Sequence, residues 1–448
     1  MILEEKRVKD ECMKVKIIGA GLAGCEAAWQ LANQGISVEL YEMRPYKMTP
    51  AHKTDKLSEL VCSNSLKSNK LDNASGLLKE EMRLLRSLII EAADNNKIPA
   101  GSALAVDREG FASYITERIN AHPNIHLYRK EILNIEMPCK NPIIIATGPL
   151  SSSAISESIS KLVNQDHFYF YDAAAPIITY ESLNLEKVFR ASRYNKGGND
   201  YINCPLSKDE YYAFYKELVN AEEAPTQDFE QGKIFEACIP IEIMARRGID
   251  TMRFGPLKPV GLIDPKSGKE PYAVVQLRQD DSRGLLYNMV GFQTHLKFSE
   301  QKRVFSMIPG LENAEFVRYG VMHRNTFINS PKLLDQYYRF RKNKNVFFAG
   351  QITGVEGYVE SASSGLLAGL TLAHTLKGKK PIDFTDKTMI GALAYYISHS
   401  PTYGFQPMNA NFGIIAPLEK RIKNKKEKNI AIVNRSLTLI NSIVKNIF

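Results

Sequence analysis

The feature that most restricts the fold is a glycine turn set between an apolar strand and an apolar helix, at residues 19–24 (GAGLAG). Residues 14–19 (KVKIIG) read as a short buried strand. Residues 25–33 read as a helix with Ala and Leu on its inner face, and 36–41 as a second strand after Gly35. The G-x-G-x-x-G spacing asks something different of each glycine. Gly19 permits the tight turn, Gly21 lets a pyrophosphate approach the backbone, and Gly24 lets helix and strand pack closely. Ala20, Leu22 and Ala23 complete the turn, where the helix N-terminus presents free N–H groups to phosphate. Glu42 ends the second strand, placed to accept ribose hydroxyls. This is a dinucleotide site in a βαβ unit. The acid fits FAD, NAD or the adenosyl ribose of S-adenosylmethionine alike.

Two later segments narrow the choice. Residues 141–148 (NPIIIATG) form a buried strand closed by glycine. Residues 345–349 (NVFFA) form another, whose sequel carries Gly350, Gln351, Gly354 and Gly357 and opens a helix over 361–376. A nucleotide held by two turns about 330 residues apart is an extended one. FAD has that shape, so FAD fits better than NAD alone. A helix is expected over 77–95 from its Leu/Met/Ile spacing. From about 181 to 324 the character changes to short Val/Tyr/Phe runs between Gly, Pro and Asp turns, which predicts a mainly antiparallel α+β insertion. The expected organisation is an N-terminal extension (1–13), a nucleotide-binding domain (14–180), an insertion (181–324), and the resumed domain with a basic tail (325–448).

Composition sets the outer limits. With 448 residues and 44% hydrophobic content the chain can bury proper cores. No stretch approaches the ~20 apolar residues of a membrane helix. The charged N-terminus has no apolar region of the secretory type. Six cysteines, at 12, 25, 62, 139, 204 and 238, include no C-x-x-C pair, which argues for reduced thiols in a cytoplasmic protein. His52, His295, His323 and His399 have no metal-type spacing, so no metal site is expected. Net charge is +9. From Glu419 onward eight basic residues stand against two acidic ones, and Arg339, Arg341, Lys342 and Lys344 form a second cluster. Each alone is a solvated face; together they suit a phosphate-binding surface in a protein with another reason to meet RNA.

The remaining chemistry lies in cysteine. Cys62 sits in a polar Ser/Asn-rich stretch (ELVCSNSLKSN), and Cys238 precedes Arg246 and Arg247. Thiolate is favoured near cations and is the nucleophilic form. Spacing leaves both residues evenly divided between reactive thiol and small buried hydrophobe, and the latter is the reading for Cys25 and Cys139. The polar clusters at 278–281 (RQDD) and 323–325 (HRN) suit either turn networks or substrate contacts.

At this level of detail the chain resembles a known family. The segments IIGAGLAGCEAAWQLA, TPAHKTDKLSELVCSNSLKSN, YAVVQLRQDD, GFQTHL, FFAGQITGVEGYVESASSGLLAG and QPMNANFG run in order over nearly all of it. They are similar to those of the folate-dependent methylenetetrahydrofolate–tRNA-(uracil-5-)-methyltransferase (TrmFO) family, small relatives of the GidA flavoproteins. The resemblance implies a glutathione-reductase-type, Rossmann-like FAD-binding domain interrupted by a smaller α+β domain. It implies NADPH or NADH as reductant, 5,10-methylenetetrahydrofolate as carbon donor, and a uridine C5 in RNA as acceptor. The RNA is tRNA, or alternatively large-subunit (23S) ribosomal RNA. It also implies that Cys238 adds to C6 of the uracil and that Cys62, beside the flavin, removes the C5 proton. From other classes, a small-molecule FAD oxidoreductase and a non-catalytic flavin-containing RNA-binding protein compete with this reading. The basic tail argues against the first and the two thiols against the second.

Overall fold

The structure is a computed structural model that describes residues 14–139, 141–164, 168–173, 175–195, 198–224, 239–320, 322–403 and 405–448. Its organising element is a five-stranded parallel sheet. The spatial order is β16 (Val346–Phe348), β7 (Ile143–Ile145), β1 (Lys14–Ile18), β2 (Ser37–Glu42) and β6 (Ile125–Arg129). β1 pairs with β2 over its whole length and with β7 on the other side, so the first glycine turn leaves the centre of the sheet. Parallel strands need both faces covered. The apolar β7 (III) and β16 (VFF) are buried throughout.

One face is covered by α1 (Leu22–Asn33) and α11 (Tyr358–Leu376), which are themselves nearly all buried. Glycines let these two helices meet. A Cβ on Gly365 would lie 2.1 Å from Ala23 O, and one on Gly369 would lie 2.8 Å from Ala27 O. The same core takes in α2 (Ala74–Leu84), α3 (Leu88–Asn95), α4 (Arg108–Ala121), α5 (Ser153–Val163), α10 (Ser330–Leu333), α12 (Met389–His399) and α13 (Lys425–Ile447). A small antiparallel sheet of β3 (Ser65–Ser68), β5 (Ala103–Val106) and β4 (Lys97–Ile98) lies beside them.

The helix expected over 77–95 is two. Arg86 takes a left-handed φ of 56°, and Ser87 starts α3 by accepting from Ile90 N at 3.2 Å. A helical apolar period continued across the break and concealed it.

A second core is built from residues between Ala175 and Ala314. Its antiparallel sheet runs β10 (Phe189–Arg190), β11 (Tyr201–Leu206), β12 (Ala273–Gln279), β13 (Leu286–Met289), β9 (Ile177–Thr179), β14 (Phe316–Arg318). Onto it pack α6 (Lys208–Asn220), α7 (Ile241–Arg246), α8 (Thr251–Phe254) and α9 (Phe298–Phe305). The antiparallel ribbon β8 (Phe168–Ala173) with β15 (Met322–Phe327) joins the two parts. Among the described residues no helix is long and apolar enough to cross a membrane.

Candidate functional site

The glycines of the first turn differ in what surrounds them. A Cβ on Gly19 would meet Ala146 O at 2.4 Å, and one on Gly24 would meet Gly19 O at 1.8 Å, so both are absent for packing. A Cβ on Gly21 would meet nothing within 4 Å. That open side faces a cleft between the two glycine turns, lined by Gly19, Gly21, Leu22, Ala23, Glu42, Gly350 and Gln351 among others. Ala20, Gly24 and Gly357 do not line it. The first helix carries no side-chain cap and no acid in its first turn, which leaves its N–H groups and positive end to an anion. A cradle of this shape fits the pyrophosphate of an extended dinucleotide such as FAD.

Glu42 is buried, and its carboxylate is already oriented. Oε2 accepts from Ala20 N (3.1 Å), and Oε1 accepts from Arg44 N (3.1 Å) and Arg44 Nε (2.9 Å). Burial opposes its ionisation, yet Arg44 and these donors hold the carboxyl below its usual range. Each oxygen of an ionised carboxylate takes more than one donor, so Oε2 keeps capacity for a hydroxyl. Arg44 also reaches Glu59 (3.3 Å), which gathers the N–H groups of Lys53 and Thr54 at 3.0 Å. This folds residues 49–61 over one side of the cleft, where Thr49, His52, Glu59 and Val61 join the lining. On the other side Gly350 N donates to Ser364 Oγ at 2.7 Å, which fixes the second turn to α11.

Cys62 stands next to the cleft residues Val61 and Tyr358 and is half-buried. The Tyr358 hydroxyl accepts from Cys62 N (2.8 Å) and Ser63 N (3.3 Å) and donates to Cys62 Sγ at 3.1 Å. Burial, with the sulfur beside it, raises the Tyr358 phenol well above its ordinary range, so it stays protonated and a donor. The thiol segment is then pinned from both cores. Arg108, the first residue of α4, donates to Leu60 O (2.5 Å) and Cys62 O (3.3 Å) and pairs with Asp280 at 2.8 Å. Arg318 of β14 donates to Val61 O. Arg278 of β12 donates to Ser63 Oγ (2.9 Å) and Asn64 Oδ1 (3.1 Å). Burial pushes the pKa of Arg278 and Arg318 below the usual guanidinium range, and repulsion from Arg108 adds to this; Asp280 holds Arg108 above its ordinary range against its own burial. Three guanidinium groups with one paired carboxylate make this an electropositive pocket around a thiol.

Cys238 lies outside the described residues, as do Cys12 and the N-terminal extension. Arg246, offered from sequence as its cationic neighbour, forms an ion pair with Glu223. Cys25 and Cys204 are buried, and burial raises both thiols, Cys25 to about 12. Cys139, read as a buried hydrophobe, is instead half-buried, with its thiol against Glu136 O at 3.1 Å. Among the described residues no cluster of His, Cys, Asp or Glu is arranged to hold a metal ion. Sequence reasoning missed Tyr358, Arg44, Arg108 and Arg318. It did single out Arg278 and Asp280 as a polar cluster without being able to say what they meet.

Fold and cleft together define a GidA-type α/β protein with a dinucleotide cradle. Residues 14–380 match the family described as GIDA, Glucose inhibited division protein A. Crystalline Aquifex aeolicus GidA (form I) superposes with a TM-score of 0.69 at 16% identity, over 97% of this chain and 78% of that one, a likeness of fold. A protein of Enterococcus faecalis is 58% identical over 434 residues, 97% of this chain and 99% of that protein. One of Acetivibrio thermocellus is 57% identical over 430 residues, 96% and 98% respectively. Both bear the name methylenetetrahydrofolate–tRNA-(uracil-5-)-methyltransferase TrmFO. The chain belongs to the TrmFO family.

Proposed function

We propose that this chain forms 5-methyluridine in RNA, with tRNA as substrate, 5,10-methylenetetrahydrofolate as carbon donor and FAD reduced by NADPH or NADH. The observation that carries this reading is the half-buried Cys62 thiol, held by Tyr358 beside a cleft whose open glycine faces suit a dinucleotide. FAD would be held by the lining residues Gly19, Gly21, Leu22, Ala23, Glu42, Gly350 and Gln351, with Ala20, Gly24 and Gly357 shaping the turns rather than touching it. When bound, FAD supplies the reducing equivalents that complete the methyl group.

The protein's own residues address the poor nucleophilicity of uracil C5. The Cys238 thiolate adds to C6, forming an S–C bond and moving the electron pair to C5, which attacks the one-carbon unit. Cys62 then takes the C5 proton as general base, the C–N bond to tetrahydrofolate breaks to leave a methylene on C5, and as that methylene is reduced to methyl the Cys238 thiolate leaves C6 and restores the ring. Arg108, Arg278 and Arg318 surround Cys62 with positive charge and hold its backbone in place.

The test is label transfer. Methylene-labelled folate with NADPH is expected to label tRNA, and S-adenosylmethionine alone is not; label from the latter overturns the reading. Supplying tRNA and large-subunit ribosomal RNA side by side assigns the acceptor, and transfer only to the ribosomal RNA moves the substrate there. RNA carrying 5-fluorouridine is expected to form a covalent adduct that Cys238→Ala loses.

A further inference from the structure

A second hollow, of about 1020 Å³, opens between the start of α2 and the segment leading into α13. Its walls carry Lys420, Arg421, Lys423, Lys425 and Lys428 against Asp72 and Glu419. All of these cations are exposed, and among the described residues none of them shares an ion pair with a carboxylate. Two helices begin at its rim. α2 has no acid in its first turn, and α13 opens with lysines at 425, 426 and 428 beside the single acid Glu427. Lysines at a helix N-terminus meet the positive end of the dipole, an unfavourable arrangement that a bound anion relieves.

The walls are built rather than loose. Asn424 caps α13 through Lys426 N at 2.9 Å, and Asn429 Nδ2 donates to Asp72 O at 3.1 Å across the rim. Arg435 holds the approach segment through Ala416 O (2.6 Å) and Pro417 O (2.8 Å). The hollow also connects to the thiol site. Ala410 on its wall donates to Glu360 Oε1 at 3.0 Å, two residues beyond Tyr358. The chain from Cys62 to Asp72 spans at most ~35 Å even if fully extended. Clustered, solvated, unpaired cations in a concave wall recognise a polyanion by its phosphates.

We propose that this hollow binds the ribose–phosphate backbone of the RNA substrate, away from the base that reacts. The proposal rests on the RNA-methylating function advanced above. The experiment is RNA binding at several salt concentrations by the FAD-loaded protein and by Lys423→Ala/Lys425→Ala/Lys428→Ala, with flavin absorbance reporting that each is folded. The triple variant is expected to bind full-length substrate roughly tenfold more weakly at physiological salt. Its salt dependence of log K should flatten by about 2 to 3, near one counterion per lost contact. An isolated stem-loop carrying only the target uridine is expected to lose much less. Lys161→Ala, on the solvent face of α5 and paired with Glu157, serves as the control and is expected to bind as the parent does. Unchanged affinity and slope in the triple variant, with RNA bound normally by the parent, overturns the hollow and leaves the function standing. A parent that binds no RNA overturns both. Binding of the parent to anionic phospholipid vesicles, lost in the triple variant while RNA affinity is kept, assigns the hollow to a membrane surface and overturns the proposal.

Discussion

The nucleotide turn and the thiol segment lie against the same cleft, yet they are assembled in opposite ways. The turn at residues 19–24 is made by neighbours in sequence: one strand, three glycines, one helix N-terminus, and an acid about 20 residues on. The segment at 60–64 is irregular and keeps its shape only because distant side chains hold its carbonyls and N–H groups. Its partners are Arg108, Arg278, Arg318 and Tyr358, drawn from both cores. Locally encoded geometry tolerates remote change and fails at single internal positions. Remotely imposed geometry should fail by degrees, one support at a time.

The largest expected effect breaks the turn. Gly21→Val is expected to give folded, colourless, inactive protein, because its Cβ points into open cleft rather than into the fold. Gly24→Val is expected to fail at folding itself, since its Cβ would stand 1.8 Å from Gly19 O. Flavin absorbance together with circular dichroism separates the two. Full FAD content in Gly21→Val would falsify the pyrophosphate assignment.

That contrast also governs what could be read from sequence. The βαβ unit and both glycine turns were legible because their determinants lie within a few residues. The thiol segment was not. Tyr358 lies 296 residues from Cys62, and nothing in VEGYVES signals that its hydroxyl will serve two N–H groups and a sulfur. Arg278 and Asp280 stood out as polar residues in an apolar run, but a periodicity cannot say which distant loop they meet. The break between α2 and α3 was hidden for a related reason: an apolar stripe resumes after Arg86, and the break is marked by that residue's backbone dihedral and the Ser87 cap alone.

Next in size is the thiol. Cys62→Ala is expected to lower methylation about 10²- to 10⁴-fold, the usual worth of a positioned general base, and to leave the 5-fluorouridine adduct in place because proton removal follows addition. Loss of the adduct in Cys62→Ala with retention in Cys238→Ala would reverse the two roles. Flavin content must accompany each measurement, since the Cys62 segment borders the cleft.

A smaller effect is expected for one support of that segment. Tyr358→Phe keeps the ring and removes the hydroxyl that accepts from Cys62 N and Ser63 N. Two N–H groups then lose a partner, at about 1–3 kcal/mol each where water cannot replace it. Methylation is expected to fall roughly tenfold, the equivalent of losing one of those two bonds, with FAD retained. A variant as active as the parent would show that Arg108 and Arg318 suffice to hold the thiol.

The smallest effect concerns the ground beneath β3, where α2 carries two buried groups that titrate near neutrality. Lys79 Nζ donates to Leu66 O (2.7 Å) and Ser75 Oγ (2.8 Å), and burial pushes it from its ordinary 10.5 down to about 7. Glu81 accepts from Met389 N (2.7 Å) and Ile390 N (2.8 Å), and burial pushes it from 4.5 up to about 7. Between pH 7 and 10.5 the unfolded chain binds more protons at Lys79 than the folded one, so stability rises with pH across that window and is level below it. Between pH 4.5 and 7 the folded chain binds more protons at Glu81, so stability falls as pH rises there. Together they place a minimum of stability near pH 7. Urea unfolding at pH 5, 7 and 9 measures it, and Lys79→Met is expected to flatten the rise from 7 to 9 while leaving the fall from 5 to 7. The glycine turn, held largely by backbone, offers no matching lysine. An equal rise in parent and Lys79→Met would show that the support under the thiol segment does not titrate in this range, and that its sensitivity lies in the arginines alone.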